Sequence, residues 1–249
     1  MSREFEGRTA VITGAGTGIG AATAEELARS GARVILVSRK ADRLEQTAKR
    51  LRDEGHDALA LAADITDPTL LVRLAELAPE VDILVNNAAV FASYGPVEEV
   101  PQDEIDALFD VDLRAVLILV RFVLPGMKRR SFGRIINIGS VAGSLGAAGQ
   151  VAYSTAKCAL EGMTRAVASE CSRQGVTCNL VEPGLIATER VTQEIPEEIR
   201  DHLIRATPVA RAGSAEEVAY AVAFLATQDA AFITGATLPV GGGIGLGIR

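Results

Sequence analysis

Tyr153 and Lys157 stand four residues apart, so on a helix they share one face. An ammonium held beside a phenol favours the phenolate. That suits a proton donor to a developing alkoxide, or a base in the reverse direction. Ser140 lies upstream, just past an apolar run, where its hydroxyl could donate to a substrate oxygen and fix its position. Near the start of the chain, Thr13-Gly14-Ala15-Gly16-Thr17-Gly18-Ile19-Gly20 separates an apolar run from a helical pattern. Backbone lacking Cβ atoms can approach a pyrophosphate closely, and the first N–H groups and dipole of the helix favour its charge. The spacing is Gly-x-Gly-x-Gly-x-Gly, outside the common register of GxGxxG. Each feature has a plainer reading alone: a surface pair on a helix, a serine capping a turn, a structural glycine turn. Their joint placement is much more specific.

Other residues fit the same nucleotide. Ser38, Arg39 and Lys40 end the second apolar run, where a doubly wound fold would hold the adenosine ribose hydroxyls with an acid. Two cations and a hydroxyl suit a 2′-phosphate instead, so NADP(H) is favoured over NAD(H); the alternative is a basic helix start on a solvated face. Asp64, followed by Ile65, could accept from the adenine amino group or cap its own turn. Asn86, Asn87, Ala88 and Ala89 close the fourth run; the small residues let a cofactor lie flat while the Asn side chains tie neighbouring loops.

The elements that must position these groups alternate. Strands are expected over 8–13, 32–37, 57–62, 82–85, 134–139, 176–181 and 238–240. Helices are expected over 18–30, 41–54, 68–77 and 152–173, with another from Ser214, whose Glu217 completes a capping box. A long helical stretch opens at Pro101 and runs towards Arg129, with a disturbance near Pro125 and Ile105, Leu108, Leu113, Leu117 and Val120 among its apolar positions. The segment 184–212 is polar, interrupted by Pro196 and Pro208, and reads as a mobile helical excursion. Apolar strands separated by helices predict an α/β fold: a single Rossmann-like domain over 1–249, a doubly wound parallel sheet with helices on both faces.

Composition excludes several classes. Hydrophobic residues at 48% and charged residues at 23% of 249 suit a globular chain, not a disordered one. With 4% aromatics, no Trp and a formal charge of −7, a nucleic-acid partner is not expected. The start MSREFEGRTAVITG does not read as a signal peptide, and no apolar run reaches the roughly 18 residues of a membrane span, so a cytoplasmic location is expected. Cys158, Cys171 and Cys178 lack ligand spacing and read as buried thiols. His56 and His202 are far apart, so no metal site is expected.

Taken together, these motifs resemble the short-chain dehydrogenase/reductase family from Gly7 to about Gly243. The family's TGxxxGxG matches Thr13 to Gly20, its NNAG matches Asn86 to Ala89 with Ala89 for the last Gly, its serine matches Ser140, and its YxxxK matches Tyr153 and Lys157. Its PG element matches Pro183 and Gly184. The resemblance implies hydride transfer between NADP(H) and a carbonyl or secondary alcohol. Tyr153 would protonate the oxygen, Lys157 would hold the nicotinamide ribose, and Ser140 would orient the carbonyl. Ile186 and Thr188 would meet the carboxamide side of the nicotinamide, and 186–212 would be a substrate lid. Asp112 takes the place of the family's Asn in the proton relay; it accepts bonds but donates none when ionised. Val240-Gly241-Gly242-Gly243 lacks the family's Asp or Asn, which is expected to loosen that end.

Within the family, Arg134 to Gly143 with Gly149-Gln150 looks most like 3-oxoacyl-[acyl-carrier-protein] reductases. An acyl carrier protein would need a basic patch, for which Lys128, Arg129, Arg130 or Arg173 are candidates; a solvated helix end is the competing reading. Phe91, Tyr94, Leu145, Leu185 and Val191 could instead line an apolar pocket for a small ketone, sugar or cyclic alcohol. A non-catalytic nucleotide sensor on the same fold is the alternative outside enzymology. The resemblance also implies a homotetramer or dimer built on the two long helices of the second half.

Overall fold

The computed structural model describes residues 4–90 and 93–246. Seven strands form one all-parallel sheet: β1 (Thr9–Thr13), β2 (Arg33–Ser38), β3 (Ala58–Ala62), β4 (Ile83–Asn86), β5 (Gly133–Ile138), β6 (Val176–Pro183) and β7 (Thr237–Val240). Their order across the sheet is β3-β2-β1-β4-β5-β6-β7, reversing direction between β1 and β4. Ligands in open α/β sheets bind at the carboxyl edge beside such a reversal.

Alternation within the strands divides the core in two. Ala10, Ile12, Val34 and Leu36 face one side, where α1 (Gly18–Arg29), α2 (Ala41–Asp53) and α10 (Ala215–Ala226) supply Leu27, Leu44, Leu51, Val218 and Val222. Val11, Ile35, Leu84 and Ile135 face the other, against α3 (Thr69–Leu77), α5 (Ala115–Arg130) and α7 (Val151–Cys171). A strand buried on both faces must be apolar at consecutive positions, which is why these runs read as continuous in sequence. Ser214 caps α10 in the expected capping box with Glu217.

The stretch from Pro101 departs from expectation in two places. It comprises α4 (Gln102–Phe109), a π-helical turn (Asp110–Arg114) and α5, so the irregularity falls at 110–114 and not at Pro125. Pro125 is tolerated because it and Arg121, whose carbonyl loses a partner, both lie on the exposed face. Leu117 is on that outer face too, 51% exposed, whereas Ala115, Val116, Leu119, Val120 and Val123 point inward.

Segment 184–212 folds into two short helices, α8 (Glu189–Glu194) and α9 (Glu197–Ala206); Pro196 immediately precedes α9 and Pro208 follows it. A five-residue helix, α6 (Val141–Leu145), follows β5 and is too short to have left a periodic signal. Gly241 has a packing role: a Cβ on Gly184 would lie 2.8 Å from the Gly241 Cα, so these two backbones meet more closely than side chains would allow. Among the described residues no helix is long and apolar enough to cross a membrane, and no cluster of metal-binding side chains occurs. Cys171 and Cys178 are buried as expected, with burial pushing the Cys178 thiol up to about 12, but Cys158 is exposed.

Candidate active site

The glycine turn is fixed from below. Thr13 Oγ1 accepts from the backbone N–H groups of Asn87 and Ala88, each at 3.0 Å. Asn87 Nδ2 donates to the carbonyls of Thr13 and Gly14 at 2.9 and 3.2 Å. The expected tie between loops is therefore made by Asn87. Asn86 works deeper, donating to Asn137 Oδ1 at 2.8 Å, while Asn137 donates to Thr164 on α7 at 2.9 Å. The turn is tight enough to exclude side chains: a Cβ at Gly20 would lie 2.3 Å from the Gly14 carbonyl oxygen. Gly14 and Gly18 also adopt left-handed φ values of 66° and 56°.

The upper face of this turn suits an anion. Thr17 sits at the N-cap of α1 without a side-chain cap bond, and no acid occupies the first turn, so the helix leaves its own N–H groups unpartnered by a local carboxylate. A Cβ on Gly16 would meet only ordinary contacts, 3.4 Å from Ser38 Oγ. Ser38 ends β2, and Arg39 projects beyond it, 68% exposed and 3.9 Å from Asp64. Asp64 also closes its own turn, accepting from Thr66 N at 2.9 Å and Thr66 Oγ1 at 2.8 Å. The backbone bond from Thr66, with Arg39 contributing less, holds its carboxyl below the ordinary value. Ile65 packs its side chain on the core beneath. These groups fit the pyrophosphate and adenosine end of a dinucleotide.

The chemistry-bearing side chains gather at the other end of the turn. Lys157 is buried on α7, its Nζ 3.0 Å from Asp112 Oδ2 and donating to the Ile138 carbonyl at 3.2 Å. The Asp112 contact is an ion pair without hydrogen-bond alignment, since Oδ2 has no hydrogen-bond partner. Asp112 Oδ1 accepts from Val90 N at 2.8 Å, which joins the loop after β4 to the π turn. Widened turns of this kind are frequent at functional sites. Burial alone would lower the Lys157 pKa; the Asp112 carboxylate, with Tyr153 behind it, more than offsets this, so the ammonium is held above its ordinary value. Nζ lies 5.6 Å from the centre of the half-buried Tyr153 ring.

Ser140 serves as the cap of α6, accepting from Ala142 N at 3.2 Å. Both readings of this serine are compatible, because a hydroxyl that accepts at a cap retains its own proton to donate. α6 then packs directly on α7, where a Cβ on Gly143 would lie 2.9 Å from Cys158 N. That contact holds Ser140 and the Tyr153–Lys157 face together.

Pro183 ends β6, and Gly184 N donates to Val240 O at 3.1 Å. Ile186 is 4% exposed and belongs to the core. Thr188 caps α8, accepting from Val191 N at 3.3 Å, and its methyl stands 3.1 Å from a Cβ position on Gly18. Two arginines absent from the sequence reading bracket this segment. Arg190 Nη1 donates to the Ala89 carbonyl at 3.0 Å, and Arg43 on α2 grips Glu189. Arg43 was detectable in principle, one helical turn beyond Arg39, but its partner lies 146 residues away.

Arg130 donates to Val81 O at 2.7 Å, and the α5 end carrying Lys128, Arg129 and Arg130 leads into the start of β5. Arg173 likewise precedes the start of β6. Both candidate basic patches thus sit at the amino edge of the sheet, opposite Ser140. Of the residues considered for an apolar pocket, Leu185 lines a cleft with Val209, Arg211, Glu217 and Gly242, and Leu145 lies against a Cβ position on Gly245. Phe91 lies outside the described residues; burial, with Tyr153 contributing less, holds the Tyr94 phenol above its ordinary value.

Comparison with known proteins agrees with this geometry. The family described as "Enoyl-(Acyl carrier protein) reductase" matches residues 14–245. The 3-oxoacyl-[acyl-carrier-protein] reductase FabG of Pseudomonas aeruginosa is 40% identical over 244 residues, covering 96% of this chain and 98% of that one. A solved short chain dehydrogenase/reductase family protein superposes with a TM-score of 0.89 at 37% identity, covering 96% of this chain and 97% of that one. The structure of a putative NAD(P) dependent gluconate 5-dehydrogenase from Beutenbergia cavernae, with NADP bound at low occupancy, gives a TM-score of 0.90 at 35% identity and covers 98% of each chain. The chain belongs to the short-chain dehydrogenase/reductase family. It is an oxidoreductase that acts on a carbonyl or alcohol with a nicotinamide nucleotide.

Proposed function

We propose that this enzyme reduces the keto group of a 3-oxoacyl thioester with NADPH. The observation that carries the reading is the buried Lys157–Asp112 pair set beneath Tyr153 at the carboxyl edge of the sheet. In this reading Ser140 donates to the substrate carbonyl and fixes its direction. Tyr153 delivers its proton to the same oxygen as negative charge develops there. Lys157 supplies the positive charge beside the phenol and holds the nicotinamide ribose, while Asp112 keeps the ammonium charged and in place.

Gly14, Thr17, Gly18, Ile19 and Gly20 would seat the pyrophosphate, with Ser38, Arg39 and Lys40 taking the 2′-phosphate and Asp64 and Ile65 the adenine. Asn87, Ala88, Ala89, Pro183, Gly184, Ile186 and Thr188 would border the nicotinamide half. Bound there, the dinucleotide supplies the reducing equivalent that side chains lack. Residues 186–212 would act as the lid over the substrate. The acyl thioester is favoured by 40% identity to a reductase named for that substrate. A carrier protein would have to approach the carboxyl edge, away from Lys128 to Arg130. Self-association into a dimer or tetramer would use the outer face of α5, where Leu117 and Ile118 are exposed.

A second reading, interconversion of a sugar acid and its ketone, is favoured by the 35% identity to a putative gluconate 5-dehydrogenase. Steady-state turnover with purified enzyme separates the two. NADPH oxidation with carrier-linked and coenzyme-A-linked 3-oxoacyl thioesters is compared with NADP-dependent oxidation of gluconate and cyclic alcohols. The expected result is the highest kcat/KM on a 3-oxoacyl thioester; gluconate turnover with none on thioesters would overturn it.

A further inference from the structure

Resting on the NADP(H) reading above, we propose that Arg43 selects the 2′-phosphate and that Glu189 is the carboxylate it exchanges for that phosphate. Arg43 lies in the first turn of α2, directly after the Ser38-Arg39-Lys40 run. Its Cβ is 3.8 Å from a Cβ position on Gly16, the same position that lies 3.4 Å from Ser38 Oγ. Arg43 therefore stands over the glycine turn at the end of β2, where the adenosine ribose belongs. From there it reaches across to α8, Nη1 at 2.6 Å from Glu189 Oε2 and Nη2 at 2.9 Å from Oε1. This is the planar two-point grip that a guanidinium makes equally well on a carboxylate or a phosphate.

Magnitudes favour exchange over a permanent clasp. The Arg43 and Glu189 side chains are 43% and 47% exposed, so the pair is screened by water and costs little to part. A phosphate monoester brings more charge and a third acceptor oxygen than the carboxylate it displaces. Glu189 is not stranded afterwards: Gln193 Nε2 donates to it at 3.1 Å, and Lys40 is near enough to attract it. Arg39, meanwhile, leans towards Asp64. Exchange at Arg43 also undoes the link between α2 and the start of α8, so occupancy by a 2′-phosphorylated nucleotide alters how that segment is held.

The test is equilibrium binding by calorimetry to cofactor-free protein, using NADPH, NADH, 2′,5′-ADP and 5′-AMP. The proteins are wild type, Arg43→Ala, Arg43→Lys and Glu189→Gln. Arg43→Ala should weaken NADPH and 2′,5′-ADP by about tenfold or more, the scale of lost charged hydrogen bonds. NADH and 5′-AMP should change by less than about twofold, as expected for groups that carry no 2′-phosphate. Arg43→Lys should retain part of the discrimination, since it keeps charge without the fork. Glu189→Gln should tighten NADPH, by up to about fivefold for an exposed pair, and leave NADH unmoved. Equal weakening of both dinucleotides by Arg43→Ala, or unchanged or weaker NADPH binding with Glu189→Gln, overturns the exchange while leaving the NADP(H) reading intact if wild type still prefers NADPH. Wild type that binds NADH as tightly as NADPH overturns both.

Discussion

The glycine turn and the 184–212 segment border the same groove but are held by opposite means. The turn is locked by buried backbone: Asn87 donates to Thr13 through both its backbone N–H and its side-chain amide, and Gly20 leaves no room for a methyl group. The segment opposite is anchored at Ile186 and by backbone bonds to Gly213 and Gly242, but its two short helices bury no residue, and exposed pairs, Arg43 on Glu189 and Arg211 on Glu217, tie it at either end. Exposed pairs of this kind contribute about 0–1 kcal/mol each. The first region is shaped before any ligand arrives. The second can be rearranged at small cost, as a covering segment must be. The Lys157–Asp112 pair belongs with the first region, being ionic yet fully enclosed.

Substitutions should separate the two kinds of support by the size of their effects. Lys157→Met should have the largest. It strands the Asp112 carboxylate in the interior, costing about 3–5 kcal/mol of stability in denaturant titration, and it removes the charge beside Tyr153. Adding Asp112→Leu should restore most of that stability without restoring turnover. If instead the double variant were as unstable as the single one, the loss would come from packing and not from the orphaned charge.

Gly20→Ala comes next. Its methyl would fall 2.3 Å from the Gly14 carbonyl oxygen and 2.5 Å from Asn87 Nδ2, and the oxygen is backbone that cannot turn aside. A cost of about 1–3 kcal/mol is expected from overpacking, with weakened binding of NADPH and NADH alike. Full stability with unchanged binding would mean that the turn is softer than its contacts indicate.

Glu217→Gln should have the smallest effect and carry a pH signature. Arg211, with the Ser214 backbone N–H, holds the Glu217 carboxyl down to about 2 from an ordinary 4.5. A lowered folded-state value stabilises above the unfolded-state pKa and is lost as pH falls through the folded one. The variant should therefore melt slightly below wild type at neutral pH, and the difference should close as pH falls from about 4.5 towards about 2. A gap that stays constant down to pH 2 would show that the ion pair contributes nothing.

Much of this was legible in the sequence because the signals are local. Parallel strands buried on both faces must be continuous apolar runs, and Ser214 with Glu217 spells a helix start within four residues. The spacing of Tyr153 and Lys157 and the place of Ser140 followed from the same local rules. What escaped was set by tertiary contact. No local pattern marks Asp110–Arg114 as a π turn, although the family resemblance singles out Asp112 itself as a residue able to pair with Lys157. The Arg43–Glu189 bridge joins residues far apart in the chain. Lys128 to Arg130 could be read in sequence either as a docking patch or as a solvated helix end, and only the tertiary structure places that end at the amino edge of the sheet.

Replacing Tyr153 with Phe removes one oxygen and its proton while keeping the ring that packs against Ala152 and Leu108. The decisive measurement is kcat/KM for NADPH-dependent reduction of a 3-oxoacyl thioester by this variant, alongside its Kd for NADPH. A fall of about 10²- to 10⁴-fold in kcat/KM with little change in Kd is predicted for the loss of a proton donor. Undiminished turnover by Tyr153→Phe would contradict the assignment of this phenol and, with it, the mechanism built around it.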